Sequence, residues 1–100
     1  MSIVIENKRS YQGEGYYVGR PSVLGNPFPM KSEEDRAEVI AKYRVWLWDE
    51  IKKGGVVAQE LNHLAAEYRL KGSLTLICWC HPKPCHAEVI STAVKWLAEK

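Results

Sequence analysis

The hydrophobic positions fall into blocks whose spacing changes along the chain. Ile3-Val4-Ile5 is a short β-branched run suited to a buried strand. Asn7 to Gly15 is polar and glycine-bearing, which predicts a loop, and Tyr16-Tyr17-Val18 is a candidate second strand of open topology. Between residues 19 and 29, Gly19, Pro21, Gly25, Pro27 and Pro29 follow so closely that regular structure is excluded. A loop this irregular in a small domain is either functional or poorly ordered.

A helix is predicted next. Ser32 is a suitable N-cap, Glu33 and Glu34 place negative charge on the positive end of the dipole, and Asp35 stands three residues on. Ile40, Tyr43, Leu47 and Ile51 recur at helical spacing and form one buried stripe, with Arg36 a turn before Ile40. Lys52-Lys53 and Gly54-Gly55 supply a basic last turn and a permissive stop. A second helix runs from Val56 to Leu70 on the stripe Val57, Leu61, Leu64, Tyr68, and ends at Gly72. The segment from Leu74 to Cys80 is apolar on both faces apart from Thr75, the pattern of a central strand covered on both sides. A last helix carries Val89, Ile90, Ala93, Trp96 and Leu97. The order β, loop, α, α, β, α favours a right-handed crossover and a small parallel or mixed sheet, an α/β fold.

Composition narrows the class further. The chain has 100 residues, 46% hydrophobic and 26% charged, enough for one domain over residues 1–100 and inconsistent with gross disorder. No apolar run approaches the ~18 residues of a membrane span, and the opening residues lack the basic flank and long apolar stretch of a secretory signal. The formal charge is +2, split as −1 over residues 1–50 and +3 over residues 51–100. No basic stripe interleaved with aromatics is visible, so a nucleic-acid partner is not expected. The three cysteines lie within Cys78–Cys85 and cannot pair without leaving one over; a reducing cytoplasmic setting is the expectation.

Two stretches are denser in chemical side chains than packing requires. The first is Cys78-Trp79-Cys80-His81-Pro82-Lys83-Pro84-Cys85-His86. On a strand, Cys78 and Cys80 point to one face. Cys85 and His86 open the last helix just after the carboxyl end of a central strand, where open α/β sheets bind ligands. Three chemistries fit. Cys78, Cys80 and Cys85 with His86 or His81 form a Cys3His set for structural zinc, although C-x-C on a rigid strand splays the thiols. The first turn of the helix, with Lys83 nearby, suits an anion such as a phosphate. Cys85 or Cys80 suits a nucleophilic thiol, with His86 or His81 as base. Neighbouring helical residues diverge by about 100°, which favours His81 over His86 as the partner of Cys85. Against these stands the bland reading of Cys78 as a small buried hydrophobe and of the prolines as turn formers.

The second stretch is Gly19-Arg20-Pro21-Ser22-Val23-Leu24-Gly25-Asn26-Pro27-Phe28. Arg20, Ser22 and Asn26 are candidate ligand-binding groups; the alternative is a rigid loop in which Leu24 and Phe28 plug the core and Asn26 satisfies its own turn. Trp46, Trp48 and Trp96 read as core or rim packing, Trp79 as core, and His63 as solvent-facing or half-buried.

These motifs carry a resemblance. Gly19-Arg20-Pro21-Ser22 with Gly25-Asn26-Pro27-Phe28, Arg36 with Tyr43-Arg44-x-Trp46-Leu47, and Cys78-Trp79-Cys80-x-Pro82-x-Pro84-Cys85-His86 resemble the domain-of-unknown-function family numbered 4326, made of short bacterial and phage proteins. The likeness spans roughly residues 16–97 and implies no activity. More loosely, the strand ending in Cys followed by Cys-His is similar to the uncharacterised family numbered 488. There an Arg follows the pair, whereas Ala87 stands here, so the likeness does not extend to an Arg-based phosphate clamp. Together they imply a small Rossmann-like three-layer domain of a group that binds nucleotide-like ligands. The leading expectation is a pocket between the Arg20–Phe28 loop and the Cys80–His86 turn for a small anionic metabolite. Arg20, Ser22, Asn26, Arg36 and Lys83 would bind it, Cys85, His86 and Cys80 would line its reacting end, and no cofactor is needed. If chemistry follows, transfer or hydrolysis through a thiol or a His-activated water fits these side chains. The other expectation is a zinc-stabilised or purely structural interaction module.

Overall fold

The computed structural model describes residues 2–80, 83 and 85–99. Strands β1 (Ser2–Asn7) and β2 (Tyr16–Tyr17) precede helices α1 (Arg36–Lys53) and α2 (Val56–Lys71), strand β3 (Ser73–Cys78) and helix α3 (His86–Ala98). The sheet has three strands in the order β1-β3-β2, with both pairings parallel. The whole of β1 is in register with β3, from Ser2 opposite Ser73 to Asn7 opposite Cys78. β2 covers only Leu76 and Ile77, and the Val18 N–H extends the ladder to the Ile77 carbonyl at 2.9 Å.

β3 is central, as its continuous hydrophobicity predicts, but its two faces differ. Leu74, Leu76 and Cys78 are buried, while Thr75 and Ile77 are half-buried. The strand ends at Cys78, two residues earlier than the apolar run suggests. β1 lies on an edge instead of inside, so Ile3 and Ile5 are half-buried and Val4 is exposed. α2 and α3 meet the sheet, and α1 packs on both of them. The α/β class, parallel sheet and three helices follow the sequence pattern. The layering is only loosely Rossmann-like, because the helices contact one another instead of being shared between two sheet faces.

Both long helices stop where glycine allows it. Gly54 (φ 71°) and Gly72 (φ 75°) adopt the left-handed conformation, and the Gly72 N–H donates to the Tyr68 carbonyl at 2.8 Å. The start of α1 differs from expectation. A 3-10 turn, Glu33–Asp35, precedes it, and the Ser32 side chain makes no capping bond. The buried stripe of α1 is Val39, Tyr43 and Leu47, with Ile40 and Ile51 at its margin, because the helix seats on other helices and not on the sheet. On α2 the stripe Val57, Leu61, Leu64 and Tyr68 is buried as predicted. Among the described residues no helix is long and apolar enough to cross a membrane.

Candidate functional site

Parallel strands leave a crevice at their carboxyl ends, and here three chain segments close it. β3 ends at Cys78, so Trp79 swings out of the sheet. Its indole N–H donates to the Tyr17 hydroxyl at 2.8 Å, 62 positions away in sequence. That hydroxyl donates in turn to the Arg20 carbonyl at 2.7 Å. A Cβ at Gly19 would stand only 2.5 Å from the same hydroxyl oxygen, so a side chain there would push the tip of the Tyr17 ring out of this junction. The 19–29 loop is held at its middle by Tyr43 of α1, whose buried hydroxyl donates to the Leu24 carbonyl at 2.7 Å. Asn26 spends its side-chain oxygen on the Phe28 N–H at 2.8 Å, closing its own turn.

The result is a cleft of about 360 Å³. Arg20, Asn26 and Phe28 of the loop line it together with Trp79, Cys80, Cys85 and His86. Tyr17, Met30, Val39 and Ile40 add apolar floor, and Arg36 adds a second cation. The two stretches singled out in the sequence therefore meet around one cavity.

The charge at the rim is organised by Glu33. Its carboxylate accepts from Arg36 Nε at 2.8 Å and Nη2 at 2.9 Å, and from Lys83 Nζ at 3.2 Å. The Arg36 hydrogen bond, and secondarily that of Lys83, hold the Glu33 carboxyl down at about 2. Arg36 is held above its usual range by Glu33 first and also by a hydrogen bond with the Cys80 side chain. Lys83 thus reaches the Glu33 carboxylate instead of the cavity, and does not line it.

Cys85 and His86 form a direct pair, contrary to the expectation from helix geometry. Cys85 is not in the helix: it is the N-cap, with extended backbone at φ −149° and ψ 157°. Its N–H donates to the Glu88 carboxylate at 2.9 Å, while the Glu88 N–H donates back to the Cys85 carbonyl at 3.0 Å. This geometry brings Sγ to 3.3 Å from His86 Nδ1. His86 Nε2 stands 2.8 Å from the Val18 carbonyl, which only accepts, so Nε2 carries the proton and Nδ1 accepts from the thiol. Burial pushes the imidazole pKa down, against the Val18 hydrogen bond and with help from the Arg20 charge. The Cys85 thiol is pushed up, by its hydrogen bond with Cys78 and then by burial, while the Ala87 N–H works the other way. Cys85 is therefore a protonated donor at the helix start, not the thiolate that a helix terminus alone would favour.

Other sequence expectations are corrected. Ser22 faces a separate cavity of about 60 Å³, and its buried hydroxyl has no partner among the described residues. Trp79 is not core: it is 50% exposed and lines the cleft. Cys78 is fully buried in the core, and Cys80 is half-buried on the cleft wall. None of the three cysteines is joined in a disulfide. Among the described residues no group of three or more His, Cys, Asp or Glu side chains is placed to hold a metal ion. His86 meets the Cys85 thiol through Nδ1 and the Val18 carbonyl through Nε2, so both ring nitrogens are engaged. The alternative base or ligand His81, with Pro82 and Pro84, lies outside the described residues.

Comparison with protein families matches residues 4–96 to the family described as Domain of unknown function (DUF4326). The chain belongs to the DUF4326 family. No curated protein and no solved structure matches it. The DUF4326 match takes in every residue that lines the cleft, from Tyr17 to His86.

Proposed function

We propose that this DUF4326 domain binds a small planar anion, a nucleotide or nucleotide derivative, in the cleft lined by the 19–29 loop and by Trp79, Cys80, Cys85 and His86. The observation that carries the reading is the pairing of aromatic and cationic side chains around one cavity. Trp79, Tyr17 and Phe28 offer apolar ring surface to a base, and Arg20 and Arg36 offer guanidinium groups to phosphate. The volume, about 360 Å³, falls within the range of small-molecule sites, about 300–1,000 Å³. Asn26, its oxygen already used, presents its amide N–H groups. Glu33 occupies Arg36 until a ligand anion replaces it. The Cys85–His86 pair, whose hydrogen bonds tie α3 to Val18, fixes the wall and orients its neighbours without serving as a nucleophile in this state.

The test is thermal unfolding with a panel of nucleoside mono-, di- and triphosphates and dinucleotides. A ligand present at 100 times its Kd adds about 2.7 kcal/mol of stability, a shift on the order of 10 °C or more for a domain of this size. Arg20→Ala should abolish the shift, and Glu33→Gln, which removes the carboxylate charge that competes with a ligand anion for Arg36 and Lys83, should enlarge it. If no member of the panel moves the melting temperature, or if Arg20→Ala leaves the shift intact, the reading fails.

A further inference from the structure

Beside the cleft, the fold assembles a surface that no single stretch of sequence contains. Lys8 Nζ lies 5.1 Å from the centroid of the Tyr17 ring, and the Arg9 guanidinium lies 5.8 Å from that of the Trp79 ring. Both cations come from the turn after β1. That turn is anchored by the Lys8 N–H on the Cys78 carbonyl at 2.8 Å, by the Asn7 amide on the Trp79 carbonyl at 3.1 Å, and by the Arg9 N–H on Asn7 Oδ1 at 2.8 Å. The two rings are joined edge to edge by the Trp79–Tyr17 hydrogen bond, and both line the cleft, as Arg20 does. Lys8 and Arg9 lie outside it. Three cations and two aromatics from four segments thus run outward from the cavity. Among the described residues none of the three cations is paired with a carboxylate.

Resting on the nucleotide reading of the cleft, we propose that its ligand is the terminal nucleotide of a single-stranded nucleic acid, whose next residues cross the Trp79–Tyr17 ledge. A free nucleotide would have no use for Lys8 and Arg9, which stand beyond the cavity. A strand would use both: its bases have faces to stack on the half-exposed Trp79, and its repeating phosphates meet Lys8, Arg9 and Arg20. A duplex keeps its base faces inside the stack and cannot use the ledge. The low formal charge of +2 is no obstacle, since the cations here are gathered at one edge of the sheet. Chain pattern alone hid this surface because Lys8-Arg9, Tyr17, Arg20 and Trp79 come together only when β1 and β2 flank β3.

Fluorescence anisotropy with labelled ten-nucleotide single strands, oligo-dT and oligo-U, tests this beside a matched duplex and the free mononucleotide. At least one single strand should bind ten times or more tighter than the mononucleotide and than the duplex, and the two probes tell DNA from RNA. The double variant Lys8→Ala/Arg9→Ala should lose about tenfold or more in oligonucleotide affinity. Its salt dependence should shallow by about 1.4, two contacts at about 0.7 each for a single strand. Binding of the mononucleotide and the melting temperature should stay as in the parent. Trp79→Ala should also weaken the oligonucleotide by at least about tenfold. If mononucleotide binds but the oligonucleotide is no tighter, or the double variant binds it equally well, the strand proposal falls and the cleft reading stands. Tighter duplex binding overturns the strand proposal alone. If neither mononucleotide nor oligonucleotide binds, both are overturned.

Discussion

Tyr43→Phe removes one oxygen atom and tests the attachment of the 19–29 loop to the helical layer. Tyr43 is fully buried, and burial first, then the neighbouring Cys85, pushes its phenol pKa well above the usual range, so the hydroxyl stays a donor. It serves the carbonyl of Leu24, itself only 2% exposed. The variant keeps the ring, with its edge contact to His86 at 5.1 Å and its tilted contact to Trp46 at 5.5 Å, so no large cavity opens. What is lost is a buried hydrogen bond, worth about 1 kcal/mol net. The acceptor left behind raises the cost towards about 3 kcal/mol if water cannot reach it. For a domain of this size, about 1–3 kcal/mol corresponds to roughly 5–20 °C in melting temperature. With m values of about 1–3 kcal/mol/M, the urea midpoint should fall by roughly 0.3–3 M. Equilibrium urea unfolding followed by tryptophan fluorescence measures this, with an unchanged slope showing that the denatured state is not the cause. Because Arg20, Asn26 and Phe28 flank the anchored residue, nucleotide affinity should weaken in the same variant. A midpoint within error of the parent would refute the clamp.

Two further outcomes are expected. His86 has a lowered folded-state pKa, so below about pH 6.5 the unfolded chain takes up a proton that the folded imidazole refuses. Stability should therefore fall as pH drops through that window, by up to about 1.4 kcal/mol per pH unit, and level off once the folded-state value is passed. His86→Gln should flatten that slope in denaturant melts between pH 7 and 5, whereas equal slopes would contradict it; Glu33, held at about 2, titrates in a lower window. Brief alkylation of the native protein should label half-buried Cys80 and spare Cys78 and Cys85, which are 0% and 2% exposed. Peptide mass spectrometry showing equal labelling of all three would disprove the assigned burial.

The helices were legible because their signals are local. Gly54 and Gly72 end α1 and α2 through their own backbone freedom, and the 3.6-residue period of α2 names its buried face. The meeting of the two polar stretches was legible for a related reason, since parallel strands gather their carboxyl-end loops at one edge. What stayed hidden depends on where the backbone leaves regular structure. One residue's difference in the start of α3 turns Cys85 from a helical neighbour of His86 into its hydrogen-bond partner. Two residues' difference in the end of β3 turns Trp79 from core to cleft wall. Ser32 offers a cap that the helix does not use, because Glu33 is drawn to Arg36 and Lys83 and the chain enters through a 3-10 turn. Ser22 shares its loop with Arg20, yet the turn at Gly25, where the N–H returns to the Ser22 carbonyl at 2.9 Å, sends the serine to the other side.

The place of β3 between β1 and β2 also bears on how the molecule comes into being. Neither early strand bonds to the other, so both remain unpaired edges until the chain has been extended past Ser73. On a ribosome, β1, β2, α1 and α2 are all made before the sheet can begin to zip, and the two helices can form first from local contacts. The late strand then closes sheet and cleft together. A nascent or truncated chain lacking β3 holds helices and loose ends, but no cleft.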